Sequence, residues 1–300
     1  MEYQYGIAAP GYRLPDATRL GAVRLQVADL GRSLDYYQQV LGLRVLSQEA
    51  GGAALAAEGE DEPLVILHEQ RGVRPVPHGG LLGLYHFAIL LPDRAALGRF
   101  VAHLGRLGAY AGSADHAVSE ALYLTDPDGL GIEVYADRPR SQWRHQDRQL
   151  HMTTEPLNIR SLLAAAGDRV WTAMPAGTIM GHVHLHVGDL DTAAAFYHRG
   201  IGFDKTVWSY PGALFLAAGG YHHHLGNNTW SSGRPAAADD ARLLEWSIVL
   251  PAAPDVEQAA ASLRAAGYAV DGGEGIVAAA DPWGTRVRLR SDGDVRGAQL

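Results

Sequence analysis

The chain has 300 residues, 47% of them hydrophobic and 19% charged, which is the balance of a folded globular protein of roughly two domains. Its formal net charge of −8 at pH 7 argues against nucleic acid as a partner. The sequence contains no cysteine, which excludes disulfides, cysteine-bound zinc and a thiolate nucleophile.

Neither a membrane span nor a signal peptide is predicted. No apolar run reaches the roughly 18 residues of a spanning helix. The opening segment, MEYQYGIAAPGYRLPD, has no basic stretch followed by an apolar one. We therefore expect no membrane partner and a cytoplasmic location. Histidine is the compositional outlier, with 14 copies, several of them clustered.

The predicted elements repeat one βαβββ order along the chain. A strand opens each unit, an amphipathic helix follows, and three short strands with glycine-rich turns complete it. The four units are predicted over residues 20–70, 84–137, 179–228 and 243–292.

These units group into two halves. The first half is predicted over residues 1–137 and begins with an N-terminal arm, residues 1–19. The second half is predicted over residues 179–300. Residues 138–178 are the longest connection between units and are interpreted as the linker between the halves, with a short helical pattern near Ile159–Ala166.

Internal similarity supports this division. Residues Val27–Leu43 align without gaps with Val187–Phe203, an offset of 160 residues. In both copies an aspartate, Asp29 or Asp189, stands where a helix N-cap is expected. A Leu-Gly or Ile-Gly pair ends the helix, with the glycine suited to a left-handed C-cap.

The motifs resemble those of the vicinal oxygen chelate superfamily, which includes glyoxalases, bleomycin resistance proteins and extradiol dioxygenases. More narrowly, the chain is similar to the two-domain catechol 2,3-dioxygenase-like group, over nearly its whole length. The resemblance implies an α+β fold in which four βαβββ units form two cup-shaped mixed sheets. It rests on four segments: Gly181–Val187, Tyr85–Leu91, Tyr123–Tyr135 and Tyr221–Leu225.

The resemblance also implies a ligand set. In this superfamily the metal positions lie at the start of the first strand and on the last strand of each unit. These positions carry His86 and Glu133 in the second unit and His182 in the third. Two histidines and one carboxylate suit non-haem iron(II). Since the second and third units together supply that set, we expect them to pair.

The first and fourth units should then form a second cup without metal. Ala22 stands at the first-strand position of the first unit, where it cannot bind a metal. In the fourth unit the two positions carry Glu245 and Arg288. A carboxylate is the natural partner of a guanidinium, so we expect an ion pair between them, within about 4 Å.

Three further residues are implied to take part in catalysis. The Tyr221–Leu225 stretch resembles the paired-histidine strand of an extradiol catalytic unit, which places the acid/base at His223. Strand alternation alone cannot choose among His222, His223 and His224. Tyr123 falls at the tyrosine that contacts the substrate hydroxyl in the family. His116 is a further candidate, although its spacing departs from the family pattern.

The function implied is the oxygen-dependent meta-cleavage of a catechol-type or hydroquinone-type ring by an extradiol dioxygenase, in aromatic catabolism. The expected cofactor is Fe(2+), with Mn(2+) as the alternative. The expected partners are a small aromatic substrate and dioxygen. The sequence leaves open whether the chain forms a homo-oligomer. Two other functions are retained as alternatives to the dioxygenase. One is a glyoxalase-like isomerase or transferase with more carboxylate ligands, and the other is a small-molecule-binding module that is not an enzyme.

Overall fold

The computed structural model describes residues 5–273 and 275–293. The first four residues of the predicted arm and the end of the predicted second half, 294–300, lie outside the described residues. The first unit consists of β1 (Arg19–Val27), α1 (Leu30–Gln39), β2 (Arg44–Glu49), β3 (Gly52–Ala56) and β4 (Val65–Glu69). The second consists of β5 (Gly83–Leu90), α2 (Arg94–Leu107), β6 (Gly112–Asp115), β7 (Ser119–Thr125) and β8 (Gly131–Asp137).

The linker carries some structure of its own. It contains a 3₁₀ turn, a two-stranded hairpin and one helix, in the order Arg140–Gln142, β9 (His145–Gln146), β10 (Gln149–Leu150) and α3 (Ile159–Ala165). The helix lies where the sequence pattern predicts it. It packs against α2 of the second unit.

The third and fourth units repeat the order of the first two. The third comprises β11 (Ile179–His186), α4 (Leu190–Ala194) with a π-helical continuation (Ala195–Ile201), β12 (Asp204–Val207), β13 (Ala213–Ala217) and β14 (Leu225–Asn228). The fourth comprises β15 (Arg242–Leu250), α5 (Ala253–Ala265), β16 (Asp271–Gly273), β17 (Ile276–Ala280) and β18 (Arg286–Ser291).

Helix ends form as the sequence predicts. The side chains of Asp29 and Asp189 accept hydrogen bonds from the backbone N–H groups of Arg32 and Thr192, which caps α1 and α4. At the other end, Gly202 has φ 102°, a left-handed conformation that favours glycine.

Two eight-stranded mixed sheets form the architecture. One has the strand order β16-β17-β18-β15-β1-β4-β3-β2 and joins the fourth unit to the first; we call it the 1–4 sheet. The other has the order β12-β13-β14-β11-β5-β8-β7-β6 and joins the third unit to the second; we call it the 2–3 sheet. The predicted pairing of units and the predicted α+β fold are both confirmed.

Each sheet closes at an antiparallel seam between first strands, β1 with β15 and β5 with β11. Because side chains alternate along a strand, each first strand has an apolar face and a second face turned into the cup. In β11 the apolar face is formed by Val183, Leu185 and Val187, which are buried in the main core. The histidines of β11 occupy the opposite face.

The cup of the 1–4 sheet contains the predicted ion pair. Nε of Arg288 donates to Oε1 of Glu245 at 2.6 Å, and Nε of Arg286 lies 3.2 Å from Oε2. In register, Ser247 pairs with Arg288 just as Ala88 pairs with Glu133 in the 2–3 sheet. The alignment of the fourth unit is therefore confirmed.

A tight helix contact generates a prediction about stability. A Cβ at Gly98 of α2 would lie 2.3 Å from the carbonyl oxygen of Leu162 in α3, whereas one at Gly105 would meet nothing within 4 Å. Gly98→Ala should lower the free energy of unfolding by about 1–3 kcal/mol through overpacking. Gly105→Ala is the matched control and should raise it by about 0.5–1 kcal/mol. Urea unfolding measures both, and equal effects would contradict the contact.

Candidate metal centre

Three buried side chains converge in the cup of the 2–3 sheet. They are His86 from β5, Glu133 from β8 and His182 from β11, and one ligand atom of each lies within 4.8 Å of the other two. Nε2 of His86 is 3.0 Å and Nε2 of His182 is 3.1 Å from Oε2 of Glu133. The structure therefore brings the three predicted ligands together. No second group of this kind occurs in the described ranges 5–273 and 275–293.

The strand register explains this convergence. β5 and β8 are parallel and pair Ala88 with Glu133, so the carboxylate lies diagonally across from His86, two residues earlier on the same face. β5 and β11 are antiparallel and pair His86 with His184 and Ala88 with His182, with register shifts between Met180 and His182 and between His184 and Leu185. The two histidines thus reach Glu133 from opposite halves of the chain.

The donor set fits a divalent ion. Two ligand atoms at 2.0–2.2 Å from one ion and at right angles are about 3 Å apart, as both histidine nitrogens are from the carboxylate. Nε2 of His86 is buried and makes no hydrogen bond, although it lies 3.0 Å from Oε2 of Glu133. Such an orphaned nitrogen is costly unless an ion or a proton donor satisfies it.

The charge states also fit. Burial lowers the pKa of His86 and of His182, and Glu133 offsets this only in part. Burial alone would raise the pKa of Glu133, but the two histidines hold it well below its usual range. Neutral imidazoles and an ionised carboxylate are the forms in which these side chains bind metal.

The three ligands lie in the wall of a cavity of about 290 Å³. Strands of both halves contribute to it, and so does the linker, through Met152, Thr153 and Thr154. No sequence pattern indicated that the linker would reach the site. The remaining wall residues are Tyr85, His116, Tyr123, His184, Tyr210, Phe215, His223 and Trp230.

Of the three clustered histidines, the structure places His223 in the cavity wall. Its ring centroid is 4.1 Å from that of His182, and its neighbours His222 and His224 do not line the cavity. Burial, with smaller effects of His182 and His222, lowers the pKa of His223 well below its ordinary value. The side chain is therefore a neutral imidazole at the edge of the site.

The structure also places His116 and Tyr123 in the cavity wall. Nδ1 of His116 donates to the carbonyl oxygen of Thr153 at 2.6 Å, so Nε2 accepts from the hydroxyl of Tyr123 at 2.5 Å. Burial and the charge of Glu133 raise the pKa of Tyr123 well above 10, which keeps its hydroxyl protonated.

The other histidines of β11 are tied to the sheet. The side-chain amide of Asn228 donates to Nε2 of His184 at 3.0 Å, and its carbonyl accepts from Nδ1 of His186 at 2.6 Å. This agrees with a mainly structural role for both residues.

Asp137 and Tyr135 were missed by the sequence reasoning. Tyr135 packs on the ring of His182, with centroids 4.9 Å apart, and Asp137 bonds to His222 behind the cavity wall. Both share the cup-facing side of β8 with Glu133. Alternation along this strand was a signal that could have found them.

Comparisons with known proteins agree with this geometry. The Glyoxalase/Bleomycin resistance protein/Dioxygenase superfamily matches residues 19–134 and 179–289. The chain belongs to this superfamily. The two matched segments contain all three residues of the candidate centre, and the predicted recognition is confirmed.

Two curated relatives differ in how much of the chain they cover. A catechol-2,3-dioxygenase of Bacillus subtilis (strain 168) is 45% identical over 270 residues, 88% of this chain and 94% of the relative. A lactoylglutathione lyase of Haemophilus influenzae is 33% identical over 122 residues, 38% of this chain and 89% of the relative. The extensive match supports the predicted enzyme class, a dioxygenase of the superfamily.

Solved structures of similar shape show the fold. A candidate dioxygenase from Bacillus subtilis matches with a TM-score of 0.68 at 13% identity, over 96% of this chain and 89% of that one. Glyoxalase I from Zea mays matches with a TM-score of 0.54 at 18% identity, over 92% of each chain. Within the described residues, no helix is long and apolar enough to cross a membrane.

The ligand set generates a prediction about metal affinity. Glu133→Gln removes the anionic ligand. Loss of a residue that only supports a metal ligand lowers metal affinity roughly 10–100-fold, so loss of the ligand itself should lower the affinity for Fe(2+) by more than that. Glu245→Gln, at a buried glutamate of the other cup, is the matched control and should keep wild-type affinity. Anaerobic titration calorimetry measures both. Equal loss in the two variants would contradict the assignment.

The buried histidines generate a prediction about pH. Burial lowers the pKa of His184 and His223, and that of His224 to about 3. The pKa of a histidine in the unfolded chain is about 6.5. Below that pH these side chains gain protons in the unfolded chain but not in the folded chain. The free energy of unfolding should therefore fall with pH below about 6.5, by up to about 1.4 kcal/mol per pH unit for each group.

Urea unfolding of metal-free protein from pH 7.5 to pH 5 measures this dependence. His224→Gln should make the profile shallower, because it removes one of the buried histidines whose pKa is lowered. A profile as steep as that of the wild type would show that His224 does not contribute.

Proposed function

We propose that this protein is an extradiol dioxygenase that opens a catechol-type or hydroquinone-type ring at an iron(II) centre held by His86, Glu133 and His182. One observation carries the proposal: the three side chains converge in the wall of a cavity whose other walls are largely aromatic. Manganese(II) is the alternative metal, because the same donors accept it.

Bound iron would supply the redox chemistry that allows dioxygen to react with an aromatic diol. His86, Glu133 and His182 would hold the ion, and a set of only three protein ligands would leave it able to bind the diol and dioxygen. One ring and one O₂ are consumed, a ring C–C bond breaks, and both oxygen atoms enter the product.

His223 is proposed as the acid/base. It lines the cavity beside His182 and is held neutral by burial. A neutral imidazole can take the proton of a substrate hydroxyl and return it to the ring-opened product.

Tyr123 and His116 are proposed to orient the substrate. The Tyr123 hydroxyl already donates to His116, so its oxygen lone pairs are directed by that bond. The hydroxyl can then accept from, or be redirected to, an oxygen atom of the bound diol. Phe215, Tyr210 and Trp230 supply apolar surface for the ring.

The isomerase alternative needs another carboxylate at the site. In the third unit the last-strand position is Gly226, which pairs with His184 as Glu133 pairs with Ala88. Glycine offers no ligand, and Glu245 lies in the other sheet. The ligand set therefore favours the dioxygenase. A binding module without metal would have no need of three converging ligands.

The proposal is tested on protein purified without oxygen. Its metal content is measured, the protein is supplied with Fe(2+), and oxygen uptake is followed with catechol and hydroquinone. We expect one O₂ consumed per ring, and with ¹⁸O₂ both labelled atoms in the ring-opened product. Tight zinc or nickel without oxygen uptake would favour the isomerase, and neither metal nor uptake would favour the binding module.

The acid/base assignment generates a prediction. His223→Ala should keep metal and lower kcat by ~10²-fold or more, the scale for loss of an acid/base group. His224→Asn is the control, because His224 does not line the cavity, and it should keep kcat. Steady-state oxygen uptake and metal analysis measure both. Unchanged turnover in His223→Ala would shift the role to His116.

A further inference from the structure

A chain of hydrogen bonds leads outward from the cavity wall. Nδ1 of His223 lies 2.7 Å from Nδ1 of His222, and Nε2 of His222 lies 2.9 Å from Oδ1 of Asp137. The His222 side chain is fully buried, whereas that of Asp137 is 28% exposed. The three side chains therefore connect the cavity to the protein surface.

The direction of each bond follows from the donors and acceptors. A carboxylate only accepts, so Nε2 of His222 must carry a proton toward Asp137. In a neutral His222 the other nitrogen, Nδ1, is then an acceptor. The bond between the two rings requires a donor, which must be Nδ1–H of His223. This leaves Nε2 of His223 without a proton.

We infer that Asp137 and His222 are positioning residues that fix the tautomer of His223, so that its bare Nε2 faces the cavity as a proton acceptor. The inference rests on the proposed function for its catalytic meaning, but the tautomer itself is a property of the folded chain. The cavity wall contains His223, and its Nδ1 is engaged on the side of His222.

Neighbouring groups restrict the side chains of the hydrogen-bonded series His223, His222 and Asp137. The hydroxyl of Tyr221 also donates to Oδ1 of Asp137, at 3.2 Å, which restricts rotation of the carboxylate. The indole of Trp143 packs against His222, with ring centroids 5.5 Å apart. Tyr135 and Tyr221 share a hydrogen bond of 2.7 Å, and the ring of Tyr221 packs on His222 with centroids 4.0 Å apart. His222 therefore has little freedom to turn its ring.

An asparagine at position 137 would reverse the direction of these hydrogen bonds. Its amide can donate to Nε2 of His222, which moves the His222 proton to Nδ1. His222 would then donate to Nδ1 of His223, and Nε2 of His223 would carry the proton. The same loss of the correct tautomer is what disables a histidine base when its aspartate partner is replaced by asparagine in hydrolases.

The first test reads the tautomer directly. Nitrogen-15 NMR of the full-length chain, metal-free and zinc-loaded, distinguishes protonated from bare imidazole nitrogens, and the His223→Gln variant assigns the signals. We expect a bare Nε2 and a protonated Nδ1 in His223. A protonated Nε2 in the unaltered protein overturns the inference, and this outcome does not depend on enzymatic activity.

The second test reads the consequence. Asp137→Asn should lower kcat by about 100-fold with KM changed by less than about twofold and metal content unchanged, and should move the His223 proton to Nε2. Asp137→Glu, which restores a carboxylate, should recover at least tenfold of that loss. Asp204→Asn is the matched control, because Asp204 pairs with Arg13 outside the cavity. It should keep kcat.

The two tests separate the inference from the proposed function. A bare Nε2 in a protein that never consumes oxygen would support the tautomer and refute the dioxygenase. Active enzyme whose kcat is unaffected by Asp137→Asn would support the dioxygenase and overturn the role of Asp137 and His222.

Discussion

The antiparallel seam between β5 and β11 is the contact on which the site depends. It joins the two halves of the chain through backbone hydrogen bonds, and it places His86 and His182 around one carboxylate. Neither half carries all three residues of the candidate centre. Formation of the centre and assembly of the 2–3 sheet are therefore one event.

The seam between β1 and β15 shows how the same backbone can carry different chemistry. Its register repeats that of the 2–3 sheet, but the corresponding positions hold Glu245 and Arg288, which neutralise each other at 2.6 Å. An unpaired buried charge is costly, so a buried carboxylate needs charged or hydrogen-bonding side chains beside it, which are Arg288 for Glu245 and the histidines His86 and His182 for Glu133. Each cup meets this requirement in its own way.

Burial controls the chemistry of the histidine-rich cup. Removal of His86, His182 and His223 from water keeps their imidazoles neutral, which suits both metal ligation and proton transfer. Hydrogen bonds then decide which nitrogen of each ring is available. Residues behind the wall, such as Asp137, thereby influence groups that they do not touch.

The sequence by itself determined the four repeats, and its resemblance to the superfamily implied the pairing of units and the convergence of His86, Glu133 and His182, because the repeats align these residues with the superfamily's metal positions. Strand alternation could not choose among the clustered histidines, because residues 221–224 precede the regular part of β14, and the tertiary structure placed His223 in the cavity wall. It also revealed the hydrogen bonds that connect His223 through His222 to Asp137, and the contribution of Met152 in the linker to the cavity wall. These contacts join segments distant along the chain, and no local pattern encodes them.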